Sequence, residues 1–148
     1  MSATELPLYL DTSALLPYYR EEPLSQRTQA LLRNPGISVV ITELIRLEIA
    51  STLGRAVKTG DMTEAEAAAV QAKFMEHVAV GYYRITTLKA RHYQIAEEWL
   101  LLRKAPLGSL DSLHLACAAI EKLELVTADP QLAKSAGVFG VSCRLLTP

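Results

Sequence analysis

Four acidic residues stand out by what surrounds them: Asp11, Glu48, Asp111 and Asp129. Asp11 and Asp129 each follow a short apolar run, Leu8-Tyr-Leu and Leu125-Val-Thr, at the end of an expected strand. Asp111 falls in the first turn of a helical stretch, and Glu48 inside another. In an open parallel sheet, ligands bind outside the carboxyl ends of the strands, so acids from these four segments could meet at that edge. A dry cluster of carboxylates repels itself and holds protons. A divalent cation reverses this. Oxygen ligands without an accompanying His or Cys cluster suit Mg²⁺ or Mn²⁺ rather than zinc. Such an ion should displace protons on binding and bind more weakly as the pH falls.

Each acid also has a purely structural reading. Asp11 before Thr12-Ser13 can cap a helix, a role worth about 1 kcal/mol. Asp111 can complement a helix dipole from the first turn. Asp129-Pro130 is the pairing that helix starts prefer. A capping Asp nevertheless keeps a free oxygen. Glu48 is harder to explain this way. At about 100° per residue its neighbours are Leu44, Ile45, Ser51 and Thr52, and Ile49 and Leu53 continue the buried stripe. An unpaired buried carboxylate costs several kcal/mol, so Glu48 needs a cation or donor beside it; Arg55, or a rotamer turned to the surface, is the alternative. Glu43 projects away from that stripe.

The elements that must carry these acids alternate along the chain. Strands are expected at Leu8–Leu10, Ser38–Ile41, Tyr82–Thr86, Leu125–Thr127 and Val141–Leu146. Helical pattern follows Asp11, breaks near Pro17, and resumes from Pro23 to Leu32. Asn34-Pro-Gly is a turn. A helix spans Thr42 to Lys58, with Gly60 as its C′ residue. Thr63 and Glu66 form a capping box for the next, which runs to His77. Others are expected over Leu88–Arg103, from a Ser109 cap to Lys122, and from Pro130. Alternation of this kind argues for right-handed crossovers and an α/β fold: one three-layer α/β/α domain over residues 1–148, with a mostly parallel central sheet.

Composition sets the outer bounds. The 148 residues are 50% hydrophobic and 21% charged, which suits one packed domain and not a disordered chain. A formal net charge of −1 leaves no global basic field to attract a polyanion. The start, Met1-Ser-Ala-Thr-Glu-Leu-Pro, lacks the basic and apolar regions of a secretory signal, and no apolar run approaches the roughly 18 residues of a membrane span. Cys117 and Cys143 are far apart and outside metal-ligand spacing, fitting a reducing, cytoplasmic location.

Taken together, four segments resemble those of the PIN-domain family, and specifically the VapC-type toxin ribonucleases. They are Tyr9-Leu-Asp-Thr-Ser-Ala-Leu-Leu, Thr42-Glu-Leu-Ile-Arg-Leu-Glu-Ile-Ala, Leu110-Asp-Ser-Leu-His-Leu-Ala-Cys-Ala and Leu125-Val-Thr-Ala-Asp-Pro. Any one of them is common; all four, in order, over residues 8 to 146, are specific. The resemblance implies a PIN-like fold and a Mg²⁺- or Mn²⁺-dependent endoribonuclease, usually a homodimer, silenced by a small cognate antitoxin protein. It puts the acids on Asp11, Glu48, Asp111 and Asp129, with Asp11 and Asp111 the most direct ligands. One or two ions would activate a water for in-line displacement, leaving a 5′-phosphate and a 3′-hydroxyl. Thr12, Ser13 and Thr127 are candidate donors that orient the acids, and Arg20, Arg46, Arg55 and Lys58 candidate holders of RNA phosphates. Basicity around the motifs is modest for the family.

Other readings remain open at this point. His114, one turn after Asp111, is either a ligand or base or a hydrogen-bonded helix residue. His77 and His92 are expected at the surface. Tyr18 and Tyr19 are either partly buried or contacts for a nucleotide base. Ile95, Trp99 and Leu102 form an apolar stripe for core or interface. An aspartyl phosphotransfer enzyme would carry a second Asp two residues after the first, where this chain has Ser13. A non-catalytic docking module, or a PIN nuclease acting in RNA processing without an antitoxin, are the alternatives within the fold.

Overall fold

Helices and strands alternate in the computed structural model, which describes residues 5–148; the first four residues of the stretch read for a signal lie outside it. In chain order the elements are β1 (Leu8–Leu10), α1 (Thr12–Leu15), a 3-10 turn (Leu16–Tyr18), α2 (Ser25–Leu32), β2 (Val39–Thr42), α3 (Glu43–Lys58) and α4 (Glu64–Ala79). Then follow β3 (Arg84–Thr86), α5 (Ala90–Leu102), α6 (Ser109–Glu121), β4 (Glu124–Thr127), α7 (Pro130–Val138) and β5 (Cys143–Leu145). All strands pair in parallel, in the order β3-β2-β1-β4-β5. The chain steps one way from β1 to β3, then crosses back to β4 and β5. The helices α2 to α4 lie in the connections of the first direction, and α5 to α7 in those of the second.

The three central strands are buried along their whole described length except at Glu124. Their near-continuous apolar runs are what a parallel sheet covered on both faces requires. Tyr9, Leu10, Val40, Ile41, Leu125 and Val126 are all inaccessible to solvent. No helix among the described residues is long and apolar enough to cross a membrane.

Several sequence expectations shift when the packing is seen. Ser109 does not cap α6. Gly108 does, in extended conformation with no side-chain bond, and Ser109 is already helical, its carbonyl taking the Ser112 hydroxyl at 2.7 Å. His92 is not at the surface. Its Nδ1 accepts the Lys89 amide at 2.9 Å, filling one of the donors a helix start leaves open, and its Nε2 meets Glu121 at 3.2 Å, so burial follows. His77 is half-buried, bonded to the Tyr19 hydroxyl at 2.6 Å and stacked on Tyr82. Tyr18 and Tyr19 pack against the core, and Trp99 stacks on Phe139, while Leu102 is exposed.

The capping box opening α4 is present in both directions, Thr63 to Glu66 and back. Thr63→Ala is expected to cost about 1 kcal/mol, a fall of roughly 2–4 °C in Tm for a chain this size, by thermal melts. Because α4 carries none of the four acids, activity should not change.

Candidate active site

Asp11 ends β1, the strand at which the sheet order reverses, and Asp129 lies just past the adjoining β4. That is the crevice where open α/β sheets bind ligands. Asp11 is buried as the N-cap of α1, and both its oxygens are occupied. Oδ1 accepts from the Ala14 amide at 3.0 Å and the Ser13 hydroxyl at 2.7 Å; Oδ2 accepts from Thr127 at 2.6 Å. Burial raises its pKa above the ordinary 3.8, against the lowering effect of these three donors. Thr127 in turn accepts the Asp129 amide at 3.0 Å, and Ser13 accepts the Ala128 amide at 3.0 Å. The two strand ends are thus laced together through hydroxyls. Thr127 lies beneath the site, fully buried.

Asp111 occupies the third position of α6. No protein donor reaches its carboxylate among the described residues, although a residue there often bonds back to the helix start. Burial raises its pKa; nearby His114 opposes the rise, and Asp11, Asp129 and Glu48 add to it. Asp129 caps α7 through Oδ1, which accepts from Gln131 at 2.9 Å, and Oδ2 takes no bond from the described residues. Glu48 projects from α3, and Oε1 accepts from Thr12 at 3.4 Å and meets His114 Nε2 at 2.6 Å. The neighbour that Glu48 required is therefore His114 and not Arg55, whose guanidinium bonds Ser51 and Thr52.

Asp11, Glu48, Asp111 and Asp129 line a single cavity of about 500 Å³, together with Thr12, Ser13 and Arg20. Arg20 is held at 2.9 Å by Asp61. Arg55 lines a neighbouring cleft that also touches Glu48 and Thr12. Arg46, paired with Glu43 on the surface, and Lys58 line neither. Two residues escaped the sequence reading. Glu22 also lines the cavity, and nothing in its local sequence marks it. Tyr9, fully buried, meets His114 Nδ1 at 2.6 Å; its place two residues before Asp11, inside an apolar strand, was the available signal.

A hard divalent cation fits this donor chemistry, since the acids offer carboxylate oxygens and no thiolate. Among the described residues, no three His, Cys, Asp or Glu side chains are grouped closely enough to hold an ion unaided. Water would complete the shell, as Mg²⁺ prefers.

The PIN domain family model matches residues 8–138. Comparison with curated proteins gives no match. Among solved structures, the fold is similar to Mycobacterium tuberculosis VapC20, a Sarcin-Ricin loop cleaving toxin, with TM-score 0.67 at 13% identity, covering 95% of this chain and 99% of that one. It is similar to VapBC2 from Rickettsia felis, bound to a promoter DNA fragment, with TM-score 0.69 at 16% identity and coverage of 96% and 100%. FitAcB from Neisseria gonorrhoeae gives 0.65 at 16%, covering 92% and 95%. With the model spanning nearly all the elements that build the acidic cavity, the chain belongs to the PIN domain family of nucleases.

Proposed function

We propose that the protein is a metal-dependent endoribonuclease that hydrolyses RNA phosphodiester bonds, and that it is the toxin of a toxin–antitoxin pair. The observation that carries the nuclease reading is the meeting of four carboxylates from four separate segments in one cavity, one of them without a protein donor. The toxin reading is supported by the likeness to VapC20 and to two VapBC complexes, from Rickettsia felis and Salmonella typhimurium.

Asp11, Glu48, Asp111 and Asp129 would hold Mg²⁺ or Mn²⁺, which supplies activation of a water and neutralises charge on the phosphoryl group. The remaining work belongs to the chain. Three donors fix Asp11, so its negative charge is presented without reorganisation. Asp111 and the free oxygen of Asp129 face incoming ligands with spare acceptor capacity. Arg20, anchored by Asp61, sets a positive charge at the same cavity as a contact for the phosphodiester.

The test is cleavage of a structured RNA by the purified protein with Mn²⁺, then with EDTA. Cleavage that persists in EDTA would sink the metal requirement. Products should carry 5′-phosphate and 3′-hydroxyl ends. The same reading makes the cellular species a cytoplasmic homodimer bound by a small antitoxin. Purification from the native operon, followed by mass spectrometry, should recover that protein.

Thr127→Val removes the donor to Asp11 Oδ2 and the acceptor for the Asp129 amide at nearly constant volume. Partners that orient ligands typically contribute 10–100-fold to metal affinity. We expect a loss of roughly 10-fold in Mn²⁺ affinity by calorimetry; unchanged affinity would show that the two strand ends hold the acids without it.

A further inference from the structure

We propose that His114 is a positioning residue for Glu48, and that Tyr9, Thr42 and the Ile45 amide impose the imidazole tautomer through which it acts. The proposal rests on the reading of Glu48 as one of the site's acids. His114 and Tyr9 are both buried, and the imidazole is bonded at each nitrogen: Nδ1 to the Tyr9 hydroxyl and Nε2 to Glu48 Oε1, both at 2.6 Å. The Tyr9 hydroxyl also meets Thr42 Oγ1 at 3.0 Å, and Thr42 Oγ1 accepts the Ile45 amide at 3.4 Å as the cap of α3.

Counting hydrogens along this chain leaves one arrangement in which each has an acceptor. The amide of Ile45 can only donate, so Thr42 Oγ1 accepts there and sends its own hydrogen to the Tyr9 oxygen. Tyr9 then donates to Nδ1, which must be bare, and Nε2 carries the hydrogen that Glu48 accepts. Reversing the direction would leave the Thr42 hydroxyl hydrogen with no acceptor, since Thr42 makes no other side-chain bond among the described residues, at a fully buried position. The consequence falls on Glu48. His114 and Thr12 both engage Oε1, and no bond from the described residues reaches Oε2. One oxygen is committed to the protein and the other is left for the cavity. His114 also stands one turn from Asp111 on α6, so a single helix presents one acid and steadies another.

Two measurements test this. In the metal-free protein at neutral pH, the ¹⁵N shifts of the His114 ring should show a protonated Nε2 and an unprotonated Nδ1. In calorimetry with Mn²⁺ alone, His114→Ala should weaken binding about 10-fold or more, and His114→Gln, which can still offer an N–H, should recover most of it. In a Glu48→Ala background, His114→Ala should cause no further loss, because an effect passed through Glu48 vanishes with it. A merely structural role would give the same loss in both backgrounds and would overturn the proposal. Should His114→Ala fail to fold, Tyr9→Phe carries the test: loss of one hydroxyl should shift the Nδ1 resonance and weaken Mn²⁺ binding, and unchanged binding would count against the relay. In a protein that binds Mn²⁺, a protonated Nδ1 overturns the imposed tautomer, and a bare Nε2 overturns the positioning role as well. Failure of the wild type to bind Mn²⁺ overturns the metal reading and the positioning role together.

Discussion

Asp111→Asn and Asp11→Asn are each expected to lower RNA cleavage by at least about 100-fold, beyond the 10–100-fold range typical of groups that only orient a ligand, while both variants stay folded. Each exchange removes one charge while keeping the shape of the side chain. For Asp111 no protein bond is lost, because none is made among the described residues. For Asp11 the new amide can still accept from Ala14 and Ser13 at its oxygen, and its nitrogen can donate to Thr127, which turns its hydrogen toward Ser13, 3.3 Å away. Asp11→Asn should also raise stability at neutral pH. Burial disfavours the charged form of Asp11 in the fold, so the wild type bears a penalty there that a neutral side chain avoids. Cleavage assays and thermal melts on the same samples separate the two effects. A variant that cuts like the wild type would remove Asp11 or Asp111 from the chemistry, and a variant that melts earlier would show that its carboxylate stabilises the fold.

The opposite signs of those two effects bear on how much the sequence reveals. The strands read well because a sheet covered on both faces needs unbroken apolar runs, and Leu8-Tyr-Leu, Val39-Val-Ile and Leu125-Val leave little choice. The four acids that line one cavity stand out in the sequence because charge at the end of such a run, or beside the stripe of Ile45 and Ile49, conflicts with local preference, and such conflicts gather at functional sites. Element ends read less well: Ser109 looks like a better cap than Gly108, yet Gly108 holds the cap and Ser109 is already the first helical residue. What the sequence withheld is pairing between distant segments. Glu48 visibly needed a partner, and Arg55 was close in sequence, but His114 lies 66 positions away and is brought in by the crossover from β3 to β4. His92 was hidden for a similar reason, since its burial depends on Glu121 of the neighbouring helix.

Mn²⁺ should reverse the pH dependence of stability. Without metal, Asp11 and Asp111 have pKa values raised above the ordinary 3.8, Asp11 by burial and Asp111 by burial together with its acidic neighbours. The folded state then keeps protons that the unfolded chain has released. Linkage makes the contribution of these groups fall as pH rises from the ordinary carboxylate range through the raised values, and the penalty is complete above them. Their share of stability therefore improves on acidification through that window. With Mn²⁺ present, the ion binds the deprotonated carboxylates and competes with protons, so its stabilisation grows with pH across the same window. At a free concentration 100 times Kd the gain is about 2.7 kcal/mol, or roughly 5–10 °C in Tm for a domain of this size. Melting curves from pH 4 to 8, with and without Mn²⁺, should diverge as pH rises and meet at the acid end. In Asp11→Asn,Asp111→Asn the divergence should largely disappear. Parallel curves for the wild type would mean that the ion binds without displacing protons from these acids, and would place it elsewhere on the molecule.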